Sequence, residues 1–175
     1  PVLGPDLSYA PAAWASSGQG GPVNFTGVTT EGSTGNGVIA VTPSGGLAGG
    51  STTLSSFTIT GVSAGFFTRT SAATLTFPFG SGSQNATFTC VAGPTLRAAI
   101  LQATETIQNG ATTQRFWVLS CPAGTLVAPT ITSGTSTTFT ALQLGAFQVT
   151  ASGSATISFT RGGAALPSGV VFDPV

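Results

Sequence analysis

Histidine, lysine and methionine are missing from all 175 residues, and only four arginines and four carboxylates (Asp6, Glu31, Glu105 and Asp173) carry charge. Without His or Lys, the side chains that most often move protons at neutral pH are gone. A Ser or Thr nucleophile has no base to activate it, which excludes a Ser–His–Asp triad and a Ser–Lys dyad. The lack of Lys also excludes a phosphate loop of the G-x-x-x-x-G-K type and any lysine-based isopeptide crosslink. Scattered carboxylates suit neither a glycosidase, which needs two about 5–10 Å apart, nor an Asp-rich calcium loop. The expectation is a protein that is not an enzyme, with no catalytic, cofactor-binding or metal-binding residues.

Charged residues make up 5% of the chain, against about 25% in an ordinary globular protein. A net charge of zero gives no pull on nucleic acid or an anionic membrane. It also removes the self-repulsion that keeps molecules apart, so association between copies is physically easy. No run of about 18 apolar residues occurs, so no transmembrane helix is expected. A chain that begins at Pro1 and contains no Met is expected to be a processed form or a fragment, exported after loss of a secretory signal. Two cysteines without His make a zinc site a poor fit. In an exported chain the favoured reading is a Cys90–Cys121 disulfide; the other is a pair of buried thiols.

Helix-breaking residues abound, with 25 Gly and 11 Pro. Apolar residues recur instead at every second position: Val23 and Phe25; Ile39 and Val41; Phe57 and Ile59; Leu75, Phe77 and Phe79; Ala86, Phe88 and Cys90. Further alternations follow at Phe147 and Val149, and at Ala155, Ile157 and Phe159. Short alternating runs between turn residues predict an all-β sandwich of antiparallel strands, with Thr and Ser on the wet faces. Residues 94–107 have apolar residues enough for a helix, but they end at Asn109-Gly110, a strong hairpin signal. Thr112–Cys121, rich in β formers, is then the second arm, which brings Cys121 back towards the strand that holds Cys90. Cys121-Pro122-Ala123-Gly124 marks a boundary. It predicts one domain over residues 1–126, with an N-terminal extension of about residues 1–20, and a second over residues 127–175, small for an independent core.

The segments Leu7-Ser8-Tyr9-Ala10-Pro11-Ala12, Val23-Asn24-Phe25-Thr26-Gly27-Val28, Gly32–Gly37, Ile39–Gly46 and Phe116–Gly124 resemble repeats of bacterial surface proteins of the ASH or choice-of-anchor type. That resemblance spans most of residues 7–124 and implies an immunoglobulin-like sandwich. Pro129–Ser133 and Ala165-Leu166-Pro167-Ser168-Gly169-Val170-Val171-Phe172-Asp173 are similar to the Ig modules of bacterial adhesins. In that family a further strand and a Gly-rich close follow, so the resemblance implies a second module that is short here; it either packs against the first domain or is completed by a neighbouring chain. Residues that match these families are structural, and no catalytic position is carried over.

These readings converge on a structural subunit of an extracellular bacterial surface filament or fibre, assembled noncovalently as a homopolymer, with strand donation as one route. Val2, Leu3, Leu7, Tyr9 and Trp14 are the candidate assembly contacts; the competing reading makes Leu7–Ala10 the first strand of its own domain. The alternative function is an adhesin module that recognises glycan or a host surface, with Trp14 as a sugar-stacking residue and Trp117 in the core. Asn24-Phe25-Thr26 and Asn85-Ala86-Thr87 fit the glycosylation sequon and are read as coincidental.

Overall fold

The computed structural model describes residues 3–14, 21–108, 111–154 and 157–173. The protein is all-β: among the described residues there are strands and one 3-10 turn, Ala64–Phe66, but no α-helix. The chain divides into two units, Pro1–Thr125 and Leu126–Val175.

The first unit holds β1 (Asp6–Ala10), β2 (Pro22–Asn24), β3 (Thr34–Ser44), β4 (Ser51–Thr60), β5 (Phe67–Arg69), β6 (Leu75–Pro78), β7 (Gln84–Val91), β8 (Arg97–Ile107) and β9 (Thr112–Cys121). One sheet has the order β1-β3-β7-β5 and the other β2-β9-β8-β4-β6. In immunoglobulin lettering this is A-B-E-D against A′-G-F-C-C′. The D-position strand precedes the C′-position strand in the chain. The cause is one edge segment that changes sheets: β5 pairs with β7, and β6 then pairs with β4. The opposite edge does the same. β1 lies antiparallel to β3, the chain bridges to Phe116 of β9 at Trp14, and β2 runs parallel to β9. Both edges therefore consist of short pieces, which limits edge-to-edge pairing with other molecules.

Alternation builds the core. Inward positions of the two sheets meet as a cluster that includes Ile39, Val41, Leu54, Phe77, Phe88, Leu101, Trp117 and Leu119, all fully buried. Burying each large apolar side chain contributes about 1.5–3 kcal/mol before entropy is counted. Gly37 occupies an inward position of β3 because the Phe25 ring lies across it; a Cβ there would sit 2.8 Å from the ring. The hairpin expected over residues 94–121 forms, with register from Arg97↔Cys121 to Thr106↔Thr112. Its Asn109-Gly110 tip lies outside the described residues.

Over residues 3–14 the N-terminal segment belongs to the first sandwich rather than standing apart as an extension. β1 pairs with β3 from Asp6↔Ser44 to Ala10↔Ala40. Below it, the Thr52 hydroxyl donates to the Pro5 carbonyl at 2.6 Å. Gly4 lies so close to β4 that a Cβ would fall 2.1 Å from the Ser51 carbonyl oxygen.

The second unit is sparser. β10 (Thr130–Ile131) and β11 (Ala151–Ser152) pair as a two-stranded antiparallel ribbon. Thr132 and Ser154 N–H groups extend the pairing, donating to the Thr150 and Val127 carbonyls. No described residue from Leu126 onward is buried. The alternation at Phe147 and Val149 forms no strand, and neither do Ile157 and Phe159; Ala155 lies outside the described residues.

Candidate functional site

Cys90 on β7 and Cys121 on β9 form a disulfide between the two sheets, with Cα atoms 6.2 Å apart. This staple joins the E and G positions, not the B and F positions of antibody domains. Of the candidate assembly contacts, Leu7 and Tyr9 pack against the core of their own unit. Leu3 and Trp14 are about half exposed, at 56% and 45%. Val2 lies outside the described residues. Trp117 is wholly buried.

Tyr9 crosses from one sheet to the other. Its hydroxyl donates to Glu105 Oε2 at 2.6 Å, and Arg115 Nε donates to the same oxygen at 2.6 Å. The Arg115 guanidinium also lies 5.7 Å from the Tyr9 ring centre. Burial pushes the Tyr9 phenol well above its ordinary pKa, and the adjacent Glu105 carboxylate raises it further. Burial opposes the Arg115 charge, but the bond to Glu105 and its negative charge outweigh that and hold the guanidinium more firmly protonated. Glu105 occupies an inward position of β8, in phase with Ala99, Leu101 and Ala103. The alternation of Ala99, Leu101 and Ala103 is the sequence signal that marks position 105 as inward, and a reading of the carboxylates as merely scattered misses it. The cluster ties β1, β8 and β9 together and leaves Glu105 only 3% exposed.

On β9, Arg115 and Trp117 point inward, and Phe116 between them points outward. The Trp117 indole donates to the Pro11 carbonyl at 3.0 Å, which anchors the segment that carries Trp14. Trp14 and Phe116 exchange both main-chain hydrogen bonds, at 3.1 and 2.9 Å. Residues paired in this way present their side chains on one face, so Trp14 and Phe116 stand together on the outer face of the five-stranded sheet.

The register continues that row. Phe116 is opposite Gln102, which is opposite Thr58. A parallel row runs from Pro22 through Val118 and Ile100 to Thr60. Gln102 Nε2 donates to Gln114 Oε1 at 2.9 Å, and the Thr104 hydroxyl reaches the same oxygen at 3.3 Å. Every outward position on these strands is uncharged. Next to the Gln102 row, β4 bulges: Ser56 and Phe57 together oppose Ala103, between Ser55↔Thr104 and Thr58↔Gln102. Ser56 has φ 53°, a left-handed backbone that a non-glycine residue seldom adopts.

Other features offer less chemistry. A shallow cleft of about 260 Å³ is lined by Pro5, Pro43, Ser44, Gly45, Phe79, Gly80 and Ser81, smaller than the roughly 300–1,000 Å³ of common ligand sites. Among the described residues no group of three or more His, Cys, Asp or Glu is placed to hold a metal ion. No helix among them is long and apolar enough to cross a membrane.

Fold and site together define an all-β protein whose first unit is a disulfide-stapled, immunoglobulin-ordered sandwich with a neutral outer sheet. No protein-family model and no curated protein matches the chain.

Proposed function

We propose that this chain is a non-catalytic structural subunit of an extracellular bacterial surface filament or fibre, assembled noncovalently from copies of itself. The observation that carries this reading is the state of the second unit. Its large apolar side chains, Leu142 and Leu144 foremost, are exposed, and none of its described residues is buried. Exposed apolar surface of this kind marks an interaction site. The occupant proposed is a second copy, because a neutral chain has no charge repulsion to keep copies apart. The disulfide suits an oxidising, extracellular setting. The bacterial setting rests on the resemblance to surface-protein repeats. Donation of Leu7–Ala10 to a neighbour would first break four residue pairs of the β1–β3 ladder, so assembly is assigned to Leu126–Val175.

Sedimentation velocity over a range of concentrations tests this, with negative-stain micrographs of the concentrated sample. The expected result is mass growing with concentration, and a Leu142→Ser/Leu144→Ser double variant that stays monomeric with its disulfide intact. A wild-type chain that remains monomeric at the highest concentration would end the proposal.

A further inference from the structure

The outer face of the five-stranded sheet has three properties seldom found together. First, it is neutral throughout, in a molecule whose charged residues lie elsewhere. Second, one row across it runs from the aromatic pair Trp14 and Phe116 through Gln102 to Thr58, with Gln114 and Thr104 along one side and the apolar Val118 and Ile100 along the other. Third, β4 keeps a strained Ser56 beside the Gln102 row. Bulges and non-glycine residues in sparse backbone regions cost free energy and cluster at functional sites.

We propose that this face, from Trp14 across Phe116 and Gln102 to Thr58, is a binding platform for an uncharged, extended, β-linked glycan. The neutral face excludes ligands held by ion pairs; nucleic acid needs cations along its phosphates, and none point outward here. A protein–protein interface concentrates its aromatic anchors at the centre; here the aromatic pair lies toward the β2 side of the sheet, and the central strand β8 carries Gln102 and Thr104 beside Ile100. A sugar ring presents an apolar C–H face and an equatorial belt of hydroxyls. The electron-rich faces of Trp14 and Phe116 suit the first, and the Gln and Thr side chains suit the second. Strands lie about 4.8 Å apart, so the row repeats at close to the rise of one ring in an extended β-linked chain. A glycan lying across the strands therefore meets one side chain of the row per sugar. Below the row, the Trp117–Pro11 hydrogen bond and the Arg115–Glu105 pair hold β9 and the Trp14 segment in place before any ligand arrives. This platform belongs to the first unit and does not depend on self-assembly through the second.

The test uses the full chain with microcrystalline cellulose in depletion assays and cellohexaose in titration calorimetry. Binding is expected, and high salt should not weaken it, because no ion pair is involved. Trp14→Ala and Gln102→Ala should each weaken it about tenfold or more, on the scale of one lost stacking or buried polar contact. Val38→Ala, on the outer face of the other sheet, should leave it unchanged. Circular dichroism and an intact disulfide by mass spectrometry confirm that each variant is folded. No binding to either probe would overturn the proposal. So would binding that Trp14→Ala and Gln102→Ala leave intact, or dimerisation that Trp14→Ala abolishes in a chain that binds neither probe. Self-association through the second unit is read separately by sedimentation of the Leu142/Leu144 variant, so either idea can fail without the other.

Discussion

Tyr9 is the chain's one tyrosine, Lys is missing, and both cysteines are bonded. The Tyr9 pKa is raised by burial and by Glu105, so the folded phenol keeps its proton where a free tyrosine, near pH 10, loses it. Below about pH 10 the phenol is protonated in the folded and the unfolded chain alike, and its contribution to stability is present in full. As pH rises above that, the unfolded chain ionises first, and stability falls towards the folded pKa. Absorbance at the tyrosinate band should therefore stay flat through pH 10 in the native protein and rise only on unfolding. Tyr9→Phe should remove this alkaline loss of stability while costing about 1.5–3 kcal/mol near neutrality, the usual worth of a hydrogen bond to a charged group. A phenol that titrates reversibly near 10 in the folded state would contradict the geometry. The neighbouring carboxylate gives a second prediction. Glu105→Ala strips Tyr9 and Arg115 of their shared acceptor, and Arg115, at 26% side-chain exposure, reaches water only in part. The expected loss is about 3 kcal/mol, the low end for breaking a buried pair from one side, read as a lower thermal midpoint.

At the scale of strands, period-two alternation carried most of the first unit. Ile39 and Val41, Leu75 and Phe77, and Ala86, Phe88 and Cys90 all lie on inward positions of the strands they mark. Where alternation is diluted, the pattern gave no warning. The first half of β4, Ser51 to Ser55, has Leu54 as its one apolar residue, and its inward Thr52 is buried by a bond to the Pro5 carbonyl. The bulge at Ser56 shifts phase within one strand, which no local pattern announces. β5 is three residues long, too short to show a period. The Trp14–Phe116 bridge joins positions a hundred residues apart, so the candidate site emerges only from the register of three strands. In the second unit the same alternation formed little ladder, because a half-buried strand needs a partner sheet to cover it. The inter-sheet staple yields its own prediction. Cys90 and Cys121 close a loop of 31 residues, worth about 3–4 kcal/mol in the chain-entropy treatment. A Cys90→Ala/Cys121→Ala chain should show a lowered denaturant midpoint and a steeper slope, because the unfolded chain without the bridge is less compact and exposes more surface. A midpoint that does not move would mean that the two sheets hold equally well without the bridge.

On the scale of the whole molecule, the two units differ in what protects their backbones. The first has two paired sheets, a filled core and a covalent staple. The second has one short ribbon and no buried residue among those described. Local opening costs little where few apolar contacts and few shielded hydrogen bonds must be broken. In dispersed chains, amide exchange should therefore be slow along β3, β7, β8 and β9 and fast from Leu126 onward. Protease should cut first in the second unit and leave the disulfide-linked first unit whole. The proposed self-assembly through Leu126–Val175 would change that outcome, because the same apolar side chains would be covered and their backbone groups would find partners. Exchange in the second unit should then slow as concentration rises, in step with the mass seen by sedimentation, while the first unit stays as it was. Protection that spreads instead along β1 and β3 would relocate the assembly surface to the N-terminal edge and revive strand exchange by Leu7–Ala10.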